Sequence, residues 1–314
     1  MGGKLVTSIV AVAIGALASG CLPTTAPAPA PHGPMLAGCS MFPADNPWNT
    51  RVDSLAVRSD SSTLIAHITS GSHTNLHPDF GGGGAYGIPF KVVPSNEPKR
   101  TINYTAYGDE SDPGPFPIPP DAPVEGGASS DGDRHVLVLQ QGVCHLYELG
   151  RAFWRGDHWD ADVGVNWNLA SNKLRPVHWT SADAAGLPIL PGLVRYDEVA
   201  SGHIDHAVRF TVPSTQKGFI FPATHYASSS TDPSLPPMGL RVRLKKSYDL
   251  SRFHGQSLVI LKALKTYGMI VADNGSSWYI TGAADPRWND DDLNQMKSVP
   301  GSAFEAVDTG PIRH

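Results

Sequence analysis

A mainly β fold, a β-sandwich of jelly-roll-like type with two or three short helices, is what this sequence predicts, on three observations. The 314 residues include 32 glycines and 28 prolines, a composition of frequent turns and short elements that argues against a helical bundle. Short β-rich runs bounded by turn residues recur along most of the chain. Segments with helical periodicity are few. A hydrophobic fraction of 40%, with seven tryptophans, is ample for a packed core.

The elements follow in order. Ser54 to Thr69 places Leu55, Leu64, Ile65 and Ile68 at partly helical spacing. Strands are predicted at Tyr86–Val93, Arg134–Gln140 and Val143–Leu149, with Gln141-Gly142 as the turn between the last two. Ser181 to Ala185, stopped by Gly186, reads as a single helical turn. Leu193–Val199 and His203–Val212 read as strands, followed by Gly218–Ala223 and Leu240–Leu244. The strongest helix signal is Gln256–Tyr267, where Leu258, Leu261, Leu264 and Lys265 keep the 3.6 period and Gly268 ends it. It leads to a strand at Met269–Ala272, a turn at Asp273-Asn274-Gly275 and a strand at Ser277–Ile280. Gly81–Gly84 and the proline-locked run Asp112–Pro120 are surface loops, since proline cannot donate within a central strand.

Charge narrows the function. The net charge is −5, only 17% of residues are charged and no basic run exists, so nucleic acid is not an expected partner. No phosphate loop, dinucleotide fingerprint or Gly-x-Ser-x-Gly elbow is present, and no cofactor is expected.

Residues 1–20 read as a signal peptide: Lys4 supplies the positive start and Leu5 to Leu17 the apolar stretch. Leu17-Ala18-Ser19-Gly20-Cys21 resembles a bacterial lipobox, which implies a lipid on Cys21, export, and anchoring to the cell envelope by that lipid alone. Residues 21–38, dense in proline and alanine, read as a semi-extended tether, and 39–314 as a single β-sandwich domain. With Cys21 assigned to lipid, Cys39 and Cys144 form an even pair in an oxidising compartment, and a disulfide between them is predicted.

The most informative stretch is Gly192 to Phe210. Read as a hairpin turning at Ser201-Gly202, it sets Asp197 opposite His206. Arg195, Asp197 and His206 then share one face with Leu193, Val199, Ile204, Val208 and Phe210, while Glu198 lies on the other. An acid holding an imidazole suits acid–base chemistry, and buried charges of this kind must pair or line a wet cleft. A network that serves only to fix register fits the same pattern, and a one-residue slip inverts every assignment. His225, with Phe219, Phe221 and Ala223 on a following strand, is placed to join His206, with Tyr226 beside it. Asp197, His206 and His225 together would make a two-histidine, one-carboxylate metal set, the less favoured reading. Glu148 alternates with apolar neighbours and is a candidate second carboxylate, although a solvent-facing glutamate is the simpler reading. Trp154, Trp159 and Trp167, interspersed with polar residues, suit stacking on sugar rings, and core packing is the alternative for each.

Gly192 to Val199, Tyr267 to Gly275 and Pro286-Arg287-Trp288 resemble an uncharacterised group of secreted bacterial proteins to which a carbohydrate-active role is ascribed. The resemblance spans most of residues 39–308 and supplies no catalytic residues. The function expected is therefore a glycoside hydrolase acting on polysaccharide, with Asp197, His206, Glu148 and Glu198 as acid–base groups. Arg195, His225, Tyr226 and the three tryptophans would bind substrate. A polysaccharide lyase using His206, Tyr226 and Arg195, or a non-catalytic glycan-binding or structural surface lipoprotein, are the alternatives.

Overall fold

The computed structural model describes residues 1–3 and 32–314. The expected signal sequence after Gly3, the expected lipid-bearing Cys21 and the proline-rich run to Pro31 lie outside the described residues. Among the described residues no helix is long and apolar enough to cross a membrane. His32 bridges Pro43.

The chain forms the short pair β1 (Met35–Leu36) and β2 (Cys39–Ser40), then α1 (Ser61–Thr69), β3 (His77–Pro78), β4 (Phe90–Val93) and β5 (Ile102–Tyr104). A run of strands follows: β6 (Val136–Gln140), β7 (His145–Gly150), β8 (Phe153–Trp154), β9 (Trp159–Ala161) and β10 (Val163–Asn168). The second half contains α2 (Tyr196–Ser201), β11 (Val208–Val212), β12 (Arg241–Leu244), α3 (Gly255–Thr266) and β13 (Met269–Asn274). It ends with β14 (Tyr279–Ile280), α4 (Asp290–Leu293) and β15 (Phe304–Ala306).

These elements stack as a mainly β sandwich. One sheet runs β15-β12-β13-β11-β14-β3, a second β10-β7-β6-β4 and a third β5-β9-β8. The second sheet lies between two cores, and its alternation shows why. Leu137 and Leu139 on β6, Leu146 on β7 and Val165 and Trp167 on β10 belong to the larger core, shared with Val208, Phe210, Val242 and Val271 of the first sheet. Val136, Val138, Tyr147 and Leu149 point the other way, into a smaller core with Ile102, Trp159 and Ala161 of the third. All five residues of β6 are therefore buried. Its unbroken run Val-Leu-Val-Leu is what a strand covered on both faces requires.

Helix α3 matches its sequence signal to within a residue, burying Ile260, Leu261, Ala263 and Leu264 and packing on β12. Helix α1 buries Leu64, Ile65 and Ile68 against β15. Strands β13 and β14 both form, with β11 between them, β13 extended through Asp273 to Asn274 and β14 confined to Tyr279–Ile280. Gly218–Ala223 is not a strand: Phe219 makes isolated bridges to Met238 and Arg313. Pro222 removes a ladder donor within that run.

Cys39 and Cys144 form the expected disulfide, joining β2 to the β6–β7 turn across 105 residues. Closing so long a loop restricts the unfolded chain strongly. Replacing both cysteines by serine is expected to cost about 2–5 kcal/mol in denaturant unfolding under non-reducing conditions. A midpoint unchanged from the parent would mean that the bridge adds nothing to stability.

Candidate functional site

The Gly192–Phe210 stretch departs from the expected hairpin. Tyr196–Ser201 is a helix, and Gly202 at φ 94° closes it in the left-handed position that glycine adopts without strain. Asp197 and Glu198 fall in its first turn, where acidic side chains favour the helix dipole. Arg195 and Glu198 are consequently three residues apart on one helix face and form an ion pair through Nη2 and Oε1. His206, just before β11, brings its Nε2 to 3.1 Å from the other oxygen of Glu198.

This carboxylate is held from two sides. Arg195 also donates through Nη1 to the Leu190 carbonyl at 3.1 Å, and the His206 Nδ1 lies 2.7 Å from the Ala207 carbonyl. Each ring nitrogen of His206 thus faces an oxygen. Burial alone would raise the pKa of Glu198. The charges of Arg195 and His206, and their hydrogen bonds, outweigh burial and hold it down at about 2. Arg195 and His206 are sealed, with side chains 4% and 1% exposed, whereas Glu198 retains 14%. Glu198 is the member that solvent reaches.

It opens onto a cleft of about 1010 Å³ between α2 and the segment 32–51. Asp45, Arg51, Asp197, Glu198, Asp205 and Tyr267 are among the residues that line it. Tyr267 Oη lies 3.5 Å from Asp205, and His203 Nε2 lies 3.4 Å from the second oxygen of Asp205. Burial, together with the Asp205 charge, raises the Tyr267 pKa. Arg241 ties Tyr267 to the segment 32–51. Buried at 3% exposure, it donates to the carbonyls of Tyr267 (2.7 Å), Pro47 (2.9 Å) and Thr50 (3.0 Å), and burial pulls its pKa down to about 9.

The other sequence candidates are distributed differently. Asp197 does not face His206: it stands 74% exposed at the cleft and pairs with Arg287 at 2.8 Å. Glu148 is neither solvent-facing nor near the cleft. Fully buried on β7, it accepts hydrogen bonds from the amides of Ile189 and Leu190 and from the Trp167 indole, each at 2.9 Å. Burial raises its pKa to about 7.

His225 bonds the Ala184 carbonyl at 2.7 Å and stacks against Tyr226, so neither joins His206. The two-histidine, one-carboxylate set is therefore not assembled, and among the described residues no group of three candidate ligands is present. Trp159 and Trp167 are core residues at 1% and 5% exposure, and Trp154 packs half-buried on Trp159. No open platform of these three rings exists for sugar to stack on.

A second polar centre has no counterpart in the sequence reading. Arg209 on β11 makes a two-pronged pair with Asp183, at 2.9 and 2.8 Å, and donates to Thr281 Oγ1 at 2.7 Å. Asp183 is wholly buried. Asp273, at the end of β13, is pushed up to about 7 by burial and by the Asp183 charge, which Arg209 only partly offsets. Alternation could not reveal Arg209, because Val208, Arg209 and Phe210 are all buried.

No family model matches this chain, and no curated protein or solved structure matches it either.

Proposed function

We propose that this protein hydrolyses glycosidic bonds of a polysaccharide in the cleft beside α2, with Glu198 as its principal carboxylate. The observation that carries the reading is a carboxylate bound by the sealed Arg195 guanidinium and the His206 ring and held low in pKa by them, yet still 14% exposed to a cleft large enough for several sugar rings. Glycoside cleavage develops positive charge at the ring carbon and oxygen, and a fixed anion beside them stabilises that state selectively. The leaving oxygen needs a proton, and the Asp205–His203 pair on the same cleft is positioned to deliver one. Water completes the hydrolysis, adding its hydroxyl to the ring carbon and its hydrogen to the donor. The proposed setting is outside the cell, with Cys21 carrying a lipid.

A panel of polysaccharides assayed for new reducing ends tests this. The parent chain is expected to release them from at least one glycan. Glu198→Gln is expected to lower the rate by about 10²-fold or more. Asp197→Asn, whose side chain is engaged by Arg287, is expected to leave it near the parent value. Circular dichroism on each variant separates lost chemistry from lost folding. Products that absorb as unsaturated sugars would indicate a lyase instead. Binding without turnover across the panel would leave a glycan-binding surface protein.

A further inference from the structure

We propose that the cleft selects glycans bearing free amino groups, that is, cationic polysaccharides, over uronate polymers and fully N-acetylated chains. This deepens the hydrolase reading and rests on its choice of cleft. The inference comes from how the charges around the cavity are already committed. Arg51, the guanidinium on the lining, is bonded to Asp53 at 2.5 Å. Arg195 is buried and bound to Glu198. Arg287, outside the lining, serves both Asp197 at 2.8 Å and Asp285 at 2.6 Å. Each of these arginines therefore has its carboxylate already.

The lining acids are not matched in the same way. Asp45 accepts a hydrogen bond from the neutral Asn172 amide at 2.8 Å. Asp205 has the Tyr267 hydroxyl and the His203 ring at 3.5 and 3.4 Å. Among the described residues neither is within ion-pair distance of a lysine or arginine. They stand with Glu198 around one cavity, Asp45 on the segment 32–51 and Asp205 between α2 and β11 beside Tyr267.

Low-dielectric walls bearing one sign of charge concentrate the field between them. A uronate carboxylate entering this space meets like charges and, on the lining, no guanidinium that lacks a carboxylate of its own, which penalises it. A protonated sugar amine meets two carboxylates and brings donors for both, forming charge-assisted hydrogen bonds that a hydroxyl or an N-acetyl group does not make.

Oligosaccharides of one backbone and length, differing only in N-acetylation, are the appropriate probes, with an oligogalacturonate as the anionic control. Calorimetric titration of the full chain at neutral pH is expected to show the deacetylated glucosamine oligomer binding at least about tenfold more tightly than its acetylated counterpart. The oligogalacturonate should bind weakest. Added salt should shrink the preference, and Asp45→Asn combined with Asp205→Asn should abolish it. Equal binding of the two glucosamine oligomers, tighter binding of the oligogalacturonate, or a preference that survives the double substitution would overturn the inference. Release of reducing ends is read separately. Amino-glycan binding without product sinks the hydrolase and keeps the selectivity, whereas turnover of neutral glycans without amino preference does the reverse.

Discussion

Asp183→Ala is expected to lower the unfolding free energy by about 3–5 kcal/mol, because it leaves the Arg209 guanidinium buried without its counter-charge. Both side chains are almost wholly out of solvent, at 0% and 5% exposure, so neither water nor salt can substitute for the missing carboxylate. The loss is in the stranded partner rather than in the pair as such. Asp183→Ala combined with Arg209→Met should therefore recover much of the stability, since apolar replacements of a buried ion pair are tolerated far better than half of one. Guanidinium unfolding at neutral pH measures both. A single variant within about 1 kcal/mol of the parent would show that the pair is not what holds the Ser181–Gly186 turn to β11.

The second large effect is a loss of stability in alkali. His135 is 5% exposed, with Nδ1 2.5 Å from Glu125 and Nε2 2.8 Å from the Ala182 carbonyl. Burial would lower its pKa, but the hydrogen bond and charge of Glu125 prevail and raise it from 6.5 to about 9. A histidine that binds its proton more tightly when folded contributes its full stabilisation below pH 6.5 and loses it as the pH rises to about 9. The amount is on the order of 3 kcal/mol.

Glu148 and Asp273, both raised to about 7, act in the same sense at lower pH, because the unfolded chain gives up those protons first. His77, lowered to about 4 by burial, works in the opposite direction between pH 4 and 6.5. The window above 6.5 is thus the cleaner one. Unfolding free energies measured at pH 6.5 and 9 should fall for the parent chain and fall much less for Glu125→Gln. A flat parent profile would contradict the assignment.

Features set by local periodicity were legible in the sequence: α3 from its leucine spacing, the β6–β7 pair from β-rich runs around Gln141-Gly142, and the disulfide from cysteine arithmetic. The misreading of α2 has a specific cause. Val194, Tyr196 and Val199 have strand propensity and alternate with polar residues, but the ends of the segment carried helix signals. Acids stand at its start and Gly202 at its end, and tertiary packing followed the ends. That change exchanged the partner of His206. Neighbouring residues point to opposite faces of a strand, whereas on a helix Glu198 returns to the side of Arg195. Glu198 was thus among the expected acid–base groups, but its pairing with Arg195 and His206 required the fold. Asp183 and Arg209, 26 positions apart on a turn and a doubly covered strand, leave no periodic trace and required the fold.

The β10-β7-β6-β4 sheet has one consequence beyond stability. A sheet wet on one side can accept substitutions at every second position with little effect. This one is enclosed on both sides, so nearly every side chain of β6 and β7 answers to a hydrophobic neighbour. Sequence drift is therefore directed away from the middle layer and into the connections between strands. Those connections and the helix-lined margins are where the molecule has freedom to acquire new chemistry.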